Sequence, residues 1–226
     1  MTLSLRHARV RYGPLEALHG VTLAAPGRGV TVLLGRNGSG RTTVLRALAG
    51  TVPLSGGAVV WDGVDVTRMP AFERARRGLC LVPERRAVFG SLTVRENLDL
   101  AASEPTAAPG PAAAHDLALA AYPQLKPLLT RRAGTLSGGE QRMLALSRAL
   151  LAHARVVLVD EPAQGMSPLV AARTYELLGS LDACVIVAEQ RLPPALIGRP
   201  AFVYELRRGA VVFAGEAGEW RRRDRR

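Results

Sequence analysis

A chain of 226 residues can bury one substantial core, and a single α/β domain carrying a small insertion is the expected organisation. Two cysteines in apolar runs (Cys80, Cys184) and four scattered histidines exclude a disulfide framework and a metal-ligand cluster; the amino terminus lacks a signal-peptide core and no apolar run reaches the roughly 20 residues of a bilayer span, so a cytoplasmic, soluble protein with buried thiols is expected. The formal net charge of +11 would suit nucleic acid or anionic lipid, but Lys126 is the only lysine, so the charge reads as a global preference for arginine, and no nucleic-acid partner is expected.

Residues 3 to 12 and 20 to 25, bounded by Gly13-Pro14 and Pro26-Gly27, read as antiparallel strands. Tyr12 ends the first of them. In a chain with only 4% aromatic residues, its ring is placed either to stack on a purine or to pack at the sheet edge. The apolar run Val30 to Leu34 leads into Gly35, Arg36, Asn37, Gly38, Ser39, Gly40, Arg41, Thr42 and Thr43, and a helix-like segment follows. Two glycines with four residues between them, then a cation and a hydroxyl, are the spacing of a phosphate-binding loop, whose backbone N–H groups and helix start face an anion. Arg41 stands where lysine is expected, bringing a planar fork in place of a compact ammonium. Thr42 is the candidate for a hydroxyl on Mg²⁺ and Thr43 for the inner phosphates; the plainer alternative is a glycine-rich turn capping a helix.

Val59 to Trp61 and Val64 to Val66 around Asp62-Gly63 form a hairpin pattern. Leu79 to Pro83 reads as a buried strand ending at Glu84, and Thr93 to Glu96 as a capping box opening a helix through Leu100. Residues 101 to 114 are low in complexity and read as a mobile connection within a helical insertion. Leu136 to Gln141 then opens a helix through Leu150, with Met143, Leu144, Leu146 and Leu150 on one face. Ser137 and Glu140 alone would make a capping box, yet Gly138 and Gly139 in the first turn cost about 1 kcal/mol each relative to alanine. Bare N–H groups there suit a second phosphate site.

Val156 to Val159 is apolar on both faces, as in a central parallel strand, and ends in Asp160-Glu161-Pro162. Carboxylates at that edge fall where α/β sheets hold ligands, Asp160 as a Mg²⁺ ligand and Glu161 to orient or deprotonate a water; an acidic helix cap is the alternative. Cys184 to Ala188 is a further strand, ending in Glu189-Gln190, with Gln190 aimed at the same edge. Strands over 201 to 206 and 210 to 214 pair around Arg208-Gly209, and the charged tail from Trp220 to Arg226 reads as frayed.

In this order Tyr12, the loop 35 to 43, Leu-Ser-Gly-Gly-Glu-Gln at 136 to 141, Asp160-Glu161 and Gln190 resemble the ATP-binding subunit of an ABC transporter over nearly the whole chain. Glu84 at the Q-loop position, Gln190 at the switch-histidine position and the run Gly165-Met166-Ser167-Pro168 resemble ATPases of branched-chain amino acid, urea and short-amide importers. The resemblance implies an α/β P-loop ATPase with a mixed central sheet, an antiparallel β subdomain and an inserted helical subdomain. About 1–84 and 151–226 would form the core and about 85–150 the insertion. It also implies ATP and Mg²⁺ as ligands, Glu84 beside Thr42 and Asp160 at the metal, and Glu161, Gln190 and Arg41 as catalytic residues. A second ATPase subunit would lay its Ser137, Gly138 and Gly139 on each nucleotide, while membrane permeases and an extracytoplasmic solute-binding protein complete an importer at the inner membrane face. Two further readings rest on single features: a subunit that binds ATP without hydrolysing it, from Arg41, and a soluble ATPase acting on nucleic acid, from the charge.

Overall fold

The computed structural model describes residues 2–102, 111–197 and 200–224, and within these the side chains of 111–114 and 224 lie outside the description. β1 (Thr2–Tyr12), β2 (Leu15–Pro26), β4 (Gly56–Trp61) and β5 (Val64–Asp65) make an antiparallel sheet in the order β2-β1-β4-β5. A second sheet, ordered β10-β9-β3-β8-β7-β6, is built from β3 (Gly29–Leu34), β6 (Leu79–Val82), β7 (Val156–Asp160), β8 (Cys184–Glu189), β9 (Ala201–Arg207) and β10 (Ala210–Glu216). Its strands are parallel except β10, which runs antiparallel to β9.

The central strands are apolar throughout because both of their faces are covered. Val157, Val159, Val185 and Val187 enter a core shared with α3 (Val94–Ala102), α4 (Pro111–Ala121), α5 (Gly138–Leu151) and α6 (Pro168–Ser180). The alternate residues Val156, Leu158, Cys184 and Ile186 enter a second core with α1 (Arg41–Ala49) and the antiparallel sheet. Parallel pairing in register sets Val82 beside Val159, Asp160 beside Ala188, and Leu34 beside Glu189. The loops after β3, β6, β7 and β8 therefore leave the sheet at one edge, where the site lies.

α1 is held at its far end by Arg74 of α2 (Ala71–Arg76), a side chain only 2% exposed. Its guanidinium donates to the carbonyls of Ala47, Leu48, Val66, Thr67 and Met69 at 2.6 to 3.1 Å, so the last carbonyls of the helix find a donor without water.

Several expectations are corrected. β2 begins at Leu15, since the turn at Gly13-Pro14 is short and the ladder resumes at once. Of the low-complexity stretch, Ala101 and Ala102 end α3 and Pro111 opens α4; 103–110 fall outside the described residues. Ala149 and Leu151 are buried on α5 while Leu150 is half-buried, and Cys80 is half-buried rather than buried. The tail forms α7 (Ala217–Asp224), tied down by the Trp220 indole, which donates to Glu205 Oε2 at 3.2 Å; Arg225 and Arg226 lie outside the described residues. Among the described residues, no helix is long and apolar enough to cross a membrane.

Candidate functional site

Gly40 sits at the N-cap of α1 in the left-handed region (φ 105) and supplies no side-chain cap. A side chain there would be strained and would meet Leu18 Cδ2 at 2.9 Å, which is why the sequence needs glycine. Gly35 answers a different demand, close approach: a Cβ would fall 2.5 Å from the Leu206 carbonyl and from Ser39 Oγ. The result is a helix start whose first N–H groups are left for an anion.

This loop borders a cleft of about 710 Å³. Asn37 to Thr43 form its floor, Glu84, Asp160, Glu161 and Gln190 stand along one wall, and Tyr12 lies at the end of β1, 41% exposed. These expected site residues come together. Gly35 and Arg36 do not line the cleft: Gly35 is packed beneath the loop and Arg36 is exposed outside it. Ser137, Gly138 and Gly139 also lie outside this cleft. Ser137 and Glu140 cap α5 reciprocally, and Gly139 packs so tightly on Gly165 that a Cβ would meet its carbonyl at 2.5 Å.

Arg41 is 6% exposed and its Nη2 lies 2.9 Å from Glu161 Oε1, itself on a side chain 12% exposed. Nη2 also reaches Asn37 Oδ1 at 3.5 Å, whereas Nη1 is buried with no protein partner, as is Ser39 Oγ. Donor capacity thus remains unspent on the cleft floor. Glu161 adopts φ 52, rare for a residue with a side chain and a conformation that concentrates at functional sites. Burial raises the Asp160 carboxyl above its usual range; its hydrogen bond with Thr42 and the Arg41 charge partly offset this.

Glu189, at the end of β8, is a functional candidate that the motif spacing did not expose. Burial pushes its carboxyl up to about 7, held back by the Tyr175 hydroxyl that donates to it and pushed further by hydrogen bonding with Glu161. A carboxyl with a raised folded value favours the native state while it is protonated, and that contribution is lost as pH rises from about 4.3 toward 7. Glu189→Gln, which imitates the protonated form, is therefore expected to leave the melting temperature nearly unchanged at pH 5 and to raise it at pH 8. Parallel melting profiles for variant and wild type would reject this.

Other cleft residues come from elements distant in sequence. The Arg208-Gly209 turn between β9 and β10 is fastened to the loop by Gly209 N–H donating to the Ser39 carbonyl at 2.9 Å, and to β2 by His19 N–H donating to Gly209 at 2.9 Å. Glu16, His19 and Gln164 also line the cleft. Gly209 alone signalled a tight turn, and nothing local connected it to residue 39.

The arrangement matches known proteins. The family model for the ABC transporter domain covers residues 18–164. The high-affinity branched-chain amino acid transport ATP-binding protein BraG of Pseudomonas aeruginosa is 34% identical over 215 residues, covering 93% of this chain and 91% of that protein. The probable branched-chain amino acid transport ATP-binding protein LivF of Archaeoglobus fulgidus is 35% identical over 213 residues, covering 92% and 89%. Among solved structures, the dimeric ATP-binding cassette MJ0796 in a post-hydrolysis state with ADP and Pi superposes with a TM-score of 0.81 at 20% identity, over 95% of this chain and 98% of that one. This chain therefore belongs to the ABC transporter family, as an ATP-binding and ATP-hydrolysing subunit.

Proposed function

We propose that the protein is the ATPase subunit of an importer for branched-chain amino acids or related small solutes. The observation that carries the site reading is the convergence of Arg41, Thr42, Asp160 and Glu161 at one end of a cleft that has Tyr12 on its rim. The names of the BraG and LivF relatives support the choice of solute class.

In this reading Tyr12 stacks on the adenine, the loop from Gly35 to Thr43 wraps the phosphates, and Mg²⁺ is held by Thr42 and Asp160 with Glu84 nearby. Among the described residues no group of three or more His, Cys, Asp or Glu side chains is arranged as a metal cage. That donor set fits an ion held largely by phosphate oxygens and water, as is usual for Mg²⁺ with nucleotides. The ion would neutralise charge on the outer phosphates. Arg41 exchanges Glu161 for phosphate oxygens, and the released Glu161 carboxylate accepts the proton of the attacking water while Gln190 orients the terminal phosphate.

Ser137, Gly138 and Gly139 stand outside their own chain's cleft, and the ABC family resemblance assigns them to the nucleotide of a second subunit in a head-to-tail dimer. Division of the chain at about 84 and 150, with the helical segment contacting membrane permeases, completes the working arrangement. The assembly would sit on the inner face of the membrane and draw substrate from a solute-binding protein.

The test is Mg²⁺-ATP hydrolysis by the subunit reconstituted in nanodiscs with permeases encoded beside it, with their solute-binding protein added empty or loaded. Stimulation by leucine, isoleucine or valine is the expected result. Stimulation by urea or an amide alone would replace the solute class, and hydrolysis indifferent to any loaded binding protein would reject the importer reading.

A further inference from the structure

The signature helix α5 carries a buried cation one turn beyond Gly139. Arg142 is 5% exposed. Its Nη1 donates to the Pro83 carbonyl at 2.6 Å and its Nη2 to the Asp160 carbonyl, a pair of backbone acceptors at the points where β6 and β7 run out. Those two points immediately precede Glu84 and Glu161. One planar fork therefore joins three segments: the helix start that presents Ser137 to Gly139, the loop of Glu84, and the edge with Asp160 and Glu161.

We propose that Arg142 is a positioning residue for ATP hydrolysis, fixing the Glu84 loop and the Asp160–Glu161 edge to the helix that carries Ser137, Gly138 and Gly139. The inference rests on the ATPase reading for its kinetic consequence and on geometry alone for the mechanical one. Neither carbonyl belongs to the nucleotide cleft floor, so Arg142 acts through backbone position rather than by touching phosphate. A fork that serves two carbonyls from different segments holds their separation; an ammonium in its place could reach one of them. Because the same helix start is meant for the partner's nucleotide, a shift of α5 at one site is handed to the hydrolytic edge of the other.

Arg142→Gln and Arg142→Lys test this in the full chain, beside wild type and Glu161→Gln. Hydrogen exchange of the nucleotide-free protein is expected to quicken in 83–86 and 160–166 of Arg142→Gln, with β3 and β8 as protected as before. Steady-state kinetics should show kcat lower by about ten- to a hundredfold, the scale of hydrogen bonds to a charged group, with KM changed by less than about threefold and the lysine variant in between. Unchanged exchange in the two segments overturns the proposal, as does kcat within about twofold of wild type, or a uniform rise in exchange through β3 and β8, which would make Arg142 a scaffold residue only. If wild type and Glu161→Gln both fail to turn over, the ATPase reading falls, and the exchange measurement still decides whether Arg142 holds the two segments.

Discussion

Replacement of Glu161 by glutamine is expected to lower steady-state phosphate release by about 10²–10⁴-fold, the usual contribution of a positioned general base. The neutral amide cannot take a proton from water, and it also removes the partner that Arg41 holds at 2.9 Å. The two effects act on different steps. Loss of the base slows hydrolysis, while loss of the ion pair releases the Arg41 guanidinium to the phosphates without first breaking a contact. Nucleotide affinity in Glu161→Gln should therefore equal or exceed that of wild type, as read by titration calorimetry with Mg²⁺-ATP. Turnover close to wild type would remove Glu161 from the chemistry. Affinity falling in step with turnover would mean that the residue shapes the cleft instead.

The second large effect concerns the cation. Arg41→Ala removes a donor from the place where charge develops, for which a loss of about 10²–10³ in kcat is expected. The variant also leaves Glu161 without its ion-pair partner in a mostly buried setting, so some thermal destabilisation should accompany the kinetic loss. Arg41→Lys keeps the charge but gives up the planar fork, whose Nη2 touches both Glu161 and Asn37 and whose Nη1 is left without a protein partner, and it should stay within about tenfold of wild type. A lysine variant that hydrolyses ATP where wild type has essentially no turnover would show that this loop binds without catalysing.

Much of this was legible in the sequence because phosphate loops, capped helix starts and strand-end carboxylates are local devices. Asp160 follows four apolar residues, and the period of such a run both identifies a strand covered on two faces and says where it ends. The same reading put Gln190 on the shared edge, since β8 carries an equivalent run. What escaped was fixed by contacts across long stretches of chain. Arg142 sits beside the signature, and its charge type alone gave no sign of a buried role; it is buried against the carbonyls where β6 and β7 end. Glu189 looked like a strand-end polar residue until Tyr175, fourteen residues earlier, and Glu161 were brought against it. The turn at Arg208-Gly209 became part of the cleft only through a bond to Ser39. At the tail, charge density suggested fraying, but buried Ala217, the Trp220 indole bond to Glu205 and Arg223, which reaches the Val212 carbonyl and lies over Phe213, anchor a helix.

Arg74 gives the arginine-rich composition a further meaning. Its five donors are all committed to carbonyls, which no ammonium with three protons could match. A lysine at this position would offer three donors in place of five, and although the Ala47 and Val66 carbonyls keep backbone partners in Gly50 and Met69, the planar fork that spans all five would be lost. An exchange of lysine for arginine that costs nothing on the surface becomes one-way once the surroundings close around the fork. At such a place a preference for arginine is also architecture: the fork and its five carbonyls set one another's positions, joining the end of α1 to the segment that precedes α2.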